Sequence, residues 1–118
     1  DADGRDPAQR QPIGMIGLFD VDLFSRKAEL RILLGQRRGE GLGRQAVMAL
    51  LRLAFDRMNL HRVWLGTAGS NALARRCFAA CGFKEEGMRE DDLWRDGMWH
   101  TNVSMRILEN EWRARPSA

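Results

Sequence analysis

Residues 28–58 read AELRILLGQRRGEGLGRQAVMALLRLAFDRM, and this stretch decides the fold. AELRILLG (28–35) begins with charged and apolar residues in alternation, Glu29 and Arg31 against Leu30 and Ile32, which is the period of a half-buried strand. At Leu33 and Leu34 the alternation gives way to a continuous apolar run, predicting a local bulge or a strand buried on both faces. Beyond the glycines at 39, 41 and 43 the period changes. Val47, Leu50, Leu51, Ala54, Phe55 and Met58 fall on one stripe of an amphipathic helix, and Asn59 is its stop signal.

Working outward, PIGMIGLFDV from Pro12 reads as a strand and DVDLFSRK as a connection. HRVWLGTA (61–68) returns to strand, and Ser70 or Asn71 caps a shorter helix, ALARRCFAAC, that Gly82 closes. Two β-type runs then flank Arg95-Asp96-Gly97, a hairpin signal, and ILENEWRA predicts a last helical turn docking Leu108 and Trp112. The order β-β-α-β-α-β-β requires a crossover, so the class is α/β or α+β with a mixed sheet. Residues 1–11 carry Gly, Pro and charge without periodicity and read as a tail or hairpin arm.

A chain of 118 residues with 44% apolar positions builds one domain with one core. Its apolar runs fall far short of the about 20 residues that a membrane helix needs. No secretory h-region follows a basic start in these residues, so the expected compartment is the cytoplasm. The chain starts at Asp1 rather than Met, which reads as processing, trimming or sequence lying upstream. A net charge of +3, with basic and acidic groups interleaved, is compatible with a phosphate-bearing ligand and far too weak to argue for nucleic acid, which is not expected as a partner. Cys77 and Cys81, four apart in an apolar segment, have neither zinc spacing nor a comfortable disulfide geometry and read as reduced core thiols; no metal site is expected.

Strand, glycine-spaced loop and helix is an arrangement that holds an anion. In Arg38-Gly39-Glu40-Gly41-Leu42-Gly43 every second residue lacks a side chain, so backbone N–H groups can approach a ligand. The helix that follows points its unpaired N–H groups and positive dipole end at the same place, with Arg37, Arg38 and Arg44 nearby. No Lys-Ser or Lys-Thr follows the glycines, which disfavours a nucleotide triphosphatase. The spacing is G-x-G-x-G rather than G-x-G-x-x-G, and no acidic residue ends the strand at 61–68, which disfavours a dinucleotide fold. A glycine-rich turn of structural use alone is the remaining reading of the loop.

The whole pattern resembles the GNAT acetyltransferases. Arg38 to Gly43 matches their R/Q-x-x-G-x-G/A motif, and Gln36 to Gly41 fits it in a shifted register. Asn71-Ala72-Leu73-Ala74, Phe78 and Cys81-Gly82-Phe83 are similar to the N-x-x-A/S…x-G-F segment. GFKEEGMRE (82–90) and WRDGMWHTNVSMRIL (94–108) look like the ending of the branch that holds ribosomal-protein N-terminal, diamine and spermidine acetyltransferases. The match runs over roughly residues 12–110.

The resemblance implies a GNAT-like mixed, mainly antiparallel sheet flanked by helices, with acetyl-CoA as cosubstrate in a V-shaped gap between the strands at 28–35 and 61–68. Its pyrophosphate would rest on Arg38, Gly39, Glu40, Gly41, Leu42, Gly43 and Arg44, and its pantetheine on the backbone of Ile32, Leu33 and Leu34. Asn71 would hydrogen-bond the cofactor arm, with Arg75 or Arg76 as further phosphate contacts. The Leu34 N–H would polarise the thioester carbonyl, and Glu29 would serve as general base. The family's usual acid is a Tyr where this chain has Phe78, or a Ser where it has Ala74; the chain contains no Tyr. Cys77 and His100 are weaker substitutes, Thr101 stands where an Asp often follows, and Trp64, Trp94 and Trp99 line a pocket or pack the hairpin.

The family also carries a strand and two helices ahead of the matching part. By that measure residues 12–118 form the C-terminal portion of one acetyltransferase domain, with an exposed sheet edge favouring association, for example as a homodimer. The expected activity is direct transfer of acetyl to a primary amine, either a protein or peptide N-terminus or a small amine. The alternative is a non-catalytic acyl-CoA-binding module.

Overall fold

The computed structural model describes residues 14–34 and 42–116. Its elements follow the expected order: β1 (Gly14–Asp22), β2 (Lys27–Leu34), α1 (Leu42–Arg52), β3 (Arg62–Ala68), α2 (Ala72–Ala80), β4 (Lys84–Arg95), β5 (Met98–Leu108) and α3 (Glu109–Ala114). The strands form one sheet in the order β1-β2-β3-β5-β4. Only β2 and β3 are parallel, because α1 carries the chain back across the sheet between them; every other pair is antiparallel.

Alternation in the strands sends one set of side chains to the helices. Ala28 and Leu30, Val63 and Leu65, and Val103, Met105 and Ile107 are buried with Val47 and Leu51 of α1, Phe78 of α2 and Trp112 of α3. The opposite face bears Glu29, Arg31, Arg62, Trp64, Asn102, Ser104 and Arg106, the last held by Glu111 of α3.

Local signals land where the residue chemistry requires. Asp96 and Gly97 both have positive φ, 52° and 75°, which matches the right-handed twist of the β4–β5 hairpin. Gly82, at φ 109°, ends α2 with Phe83 N–H donating to the Phe78 carbonyl and Gly82 N–H to the Ala79 carbonyl. Asn59, at φ 59°, stops the first helical segment as expected.

Three expectations need correction. The helix reaching Met58 is α-helical only to Arg52; Leu53–Arg57 widen into a π turn, with the Met58 N–H donating to the Leu53 carbonyl. The wider turn leaves Ala54 and Phe55 buried, with Phe55 stacked on Trp112 at 5.6 Å, a tertiary contact with no local signature. The bulge expected at Leu33–Leu34 is absent: β1 and β2 pair in register from Gly14↔Leu34 to Phe19↔Glu29. The irregularity lies in β1 instead, between Phe19 and Asp22, where Asp20 takes a left-handed φ of 51°. β1 also runs through Asp22, so the connection shortens to the turn at 23–26.

Candidate functional site

The parallel ladder between β2 and β3 holds three Cα pairs, Lys27↔Arg62, Ala28↔Val63 and Glu29↔Trp64, and then stops. The rest of β2, Leu30 to Leu34, keeps β1 on one side and has no described strand on the other. On β3, residues Leu65 to Ala68 continue to pair with β5 alone. The two strands therefore part after Glu29, and the gap offers the backbone of Ile32, Leu33 and Leu34 as an unladdered edge.

Because β2 and β3 are parallel, their C-terminal ends lie at the same end of the sheet, and each leads into a helix there. Leu42, Gly43 and Arg44 form the first turn of α1. Among the described residues, nothing lies within 4 Å of a Cβ built on Gly43, so this turn is open on that side. The expected contacts Arg38, Gly39, Glu40 and Gly41 lie outside the described residues. At the start of α2, Asn71 Oδ1 accepts from the Ala74 N–H at 3.1 Å, a helix cap, while its Nδ2 has no partner among the described residues. The split thus gathers two helix N-termini and one strand edge, all rich in unpaired backbone donors.

Glu29 sits at the fork. Its Cα partners are Phe19 on β1 and Trp64 on β3, so an aromatic residue flanks it on each side of the open face. Glu29 Oε1 accepts from Arg31 Nε and Nη2 at 3.0 and 2.8 Å; Oε2 has no partner among the described residues. Sequence spacing alone placed Glu29 and Arg31 on one face but gave no sign of the third member, Asp20, whose carboxylate reaches Arg31 Nη2 at 3.3 Å through the irregularity in β1.

Other candidates have structural employment. Arg75 donates to both oxygens of Glu85 and to the Gly69 carbonyl, so it ties α2 to β4 rather than pointing at a phosphate. Phe78 is buried edge-on to Phe83 at 5.9 Å. Cys77 and Cys81 are both free thiols; burial, with Cys77 adding to it, pushes Cys81 up to about 11 against the pull of Arg44, leaving it protonated and inert at neutral pH. His100 lies 3.3 Å from both Ser70 Oγ and the Arg95 carbonyl, bracing the hairpin against the loop before α2. Trp94 and Trp99 pack on each other at 5.1 Å and remain more than half exposed.

Part of the acidic run of β4 is also paired. Glu86 accepts from Arg62 Nη1 at 3.0 Å and from Ser104, and the Arg62 hydrogen bonds hold its carboxyl below the usual range. Asp92 accepts from Asn102 Nδ2 at 2.9 Å. Among the described residues no cluster is suited to a metal ion, and no helix is long and apolar enough to cross a membrane.

Comparison with known proteins agrees with this geometry. A model of the acetyltransferase (GNAT) domain matches residues 3–84. A spermidine N(1)-acetyltransferase of Vibrio cholerae serotype O1 is 29% identical over 106 residues, covering 89% of this chain and 61% of that protein. A putative ribosomal N-acetyltransferase of Bacillus subtilis (strain 168), YdaF, is 35% identical over 100 residues, covering 84% of this chain and 55% of that protein. The crystal structure of spermidine N-acetyltransferase from Vibrio cholerae in complex with CoA and spermine superposes with a TM-score of 0.80 at 28% identity, covering 86% of this chain and 60% of that one. The chain spans less than two thirds of the length of either curated relative. The family model covers well over half of the chain, including the split strands, the glycine-spaced loop and the start of both helices at the split, and this chain belongs to the GNAT acetyltransferase family.

Proposed function

We propose that the chain carries an acetyl-CoA-dependent N-acetyltransferase site that passes acetyl directly to a primary amine within a ternary complex. The observation that carries this reading is the end of the β2–β3 ladder at Glu29↔Trp64, which leaves a backbone edge leading into the first turn of α1. When bound, acetyl-CoA supplies the activated acyl group and a thiolate leaving group.

The chain's own residues supply position and charge. Backbone donors from Arg38 to Arg44 and the N-terminal end of α1 hold the pyrophosphate, a role that their glycine spacing and helix-start location support. Ile32, Leu33 and Leu34 pair through their backbone with the amide-bearing arm, and the Leu34 N–H points its dipole at the carbonyl oxygen. Asn71 gives Nδ2 to the same arm while Oδ1 keeps its cap. Glu29 takes the proton of the incoming amine through Oε2. With Phe78 in place of a hydroxyl, water protonates the leaving thiolate, so rate enhancement rests on positioning and carbonyl polarisation.

Calorimetric titration with acetyl-CoA, with ATP and NAD as controls, followed by a free-thiol assay over a panel of primary amines, tests this. Selective acetyl-CoA binding with amine-dependent thiol release is the expected result. Binding without turnover of any amine identifies a non-catalytic acyl-CoA module instead, and no binding by the folded protein rejects the site.

A further inference from the structure

Glu29 differs from the other arginine-paired glutamates among the described residues. Arg62 on Glu86, Arg75 on Glu85 and Arg106 on Glu111 each reach both carboxylate oxygens. Glu109 is met by Arg26 on one oxygen and by Arg113 on the other. A planar guanidinium beside a carboxylate ordinarily closes on both oxygens. Arg31 instead brings Nε and Nη2 to one atom, Glu29 Oε1, at 3.0 and 2.8 Å, and Oε2 is left without a partner among the described residues.

What distinguishes Arg31 lies on β1. Its Nη2 also reaches Asp20 Oδ2 at 3.3 Å, and its guanidinium carbon stands 4.7 Å from the Phe19 ring centroid. Holding Nη2 against Asp20 opposes the small turn that would bring it to Oε2 and complete the ordinary fork. Asp20 reaches this place from the irregularity between Phe19 and Asp22, at a left-handed φ of 51°. The side chains of Arg31 and Asp20 are 52% and 75% exposed, so their attraction adds little to stability. Its effect is on direction.

We propose that Arg31 and Asp20 are positioning residues for Glu29: Arg31 pins Oε1 and fixes the plane of the carboxylate, and Asp20 keeps the guanidinium from closing over Oε2, the oxygen that meets the amine. The inference rests on the acetyltransferase reading above and on Glu29 as the base.

The test is a double-mutant cycle, read as kcat for an amine that the unaltered protein acetylates, with Tm and acetyl-CoA affinity measured on each variant. Asp20→Gly, which keeps access to the left-handed backbone, lowers kcat roughly tenfold because Arg31 then shares both oxygens of Glu29. Arg31→Met lowers it roughly tenfold because the carboxylate loses its fixed direction. In the Arg31→Met background Asp20→Gly has no further effect, since Asp20 acts only through the guanidinium. Acetyl-CoA affinity is the same throughout, and the fall in kcat does not follow Tm. Asp20→Asn and Arg31→Gln replace either single variant that fails to fold. Parent-like kcat in Asp20→Gly or in Arg31→Met, or an equal effect of Asp20→Gly with and without Arg31, overturns the inference while the acetyltransferase reading stands. Absence of turnover with every amine overturns that reading, and a Glu29→Gln variant as active as the parent removes Glu29 as the base; either takes this inference with it.

Discussion

Glu29 and Trp64 are the last Cα partners of the parallel ladder between β2 and β3. The residues before this pair are tied on both sides, with Ala28 and Val63 fully buried beneath α1. Those after it diverge, because β3 stays with β5 while β2 stays with β1. A carboxylate at the vertex is held by the rigid part of the sheet yet opens on the gap, which is a suitable place for a group that must meet a reacting amine with little freedom.

Glu29→Gln keeps the size and the hydrogen-bonding oxygen but removes the base. Steady-state kinetics should show kcat lowered by about 100-fold or more, with acetyl-CoA affinity by calorimetry unchanged. Normal turnover would assign proton removal elsewhere.

Asn71 has two separable atoms. Asn71→Ala loses the α2 cap and should cost about 1 kcal/mol in denaturant unfolding. Asn71→Asp keeps an oxygen for the Ala74 N–H, so stability should hold while acetyl-CoA binding weakens. Equal affinity in the aspartate variant would leave Asn71 as a cap only.

Gly43 lies within α1, without a positive φ, and no described residue stands within 4 Å of where a Cβ would lie. Gly43→Ala should therefore raise stability by about 0.5 kcal/mol, visible as a higher Tm. Gly41→Glu adds bulk and negative charge to the proposed phosphate loop and should abolish binding in a folded protein.

Acid should loosen the C-terminal clasp. Burial opposes the charge on Glu111, but Lys84, the Leu108 N–H and Arg106 together hold its carboxyl down to about 2, below its ordinary 4.5. A lowered folded-state value means that this contribution is complete above pH 4.5 and is lost as the pH falls toward 2. Glu111→Gln should flatten that acid limb in chemical-denaturation curves and cost about 2 kcal/mol at neutral pH. An acid limb of unchanged steepness would assign it to other carboxylates.

Much of the fold was legible because its signals are local. The stripe from Val47 to Phe55, the cap at Asn71, the glycine stop at Gly82 and the Asp96-Gly97 turn each specify backbone geometry within a few residues. The π turn at Leu53–Arg57 was not legible. Its backbone serves the stacking of Phe55 on Trp112, a residue more than fifty positions away, and the apolar stripe continues through it unbroken.

The candidate site divides along the same line. Sequence by itself determined the glycine spacing, the charge of Glu29 and Arg31 on one face, and the family whose motifs these are, since all depend on residue type and spacing along the chain. For the apolar run at Leu33–Leu34 it left a bulge or a strand buried on both faces, and the bulge is absent; strand pairing there is regular toward β1 and ends toward β3. Only the tertiary structure decided where the parallel ladder stops, that Asp20 and Phe19 close around Arg31, and that Arg75 belongs to Glu85. Those outcomes depend on strand register and on contacts between residues far apart in the chain, which short-range propensities do not encode.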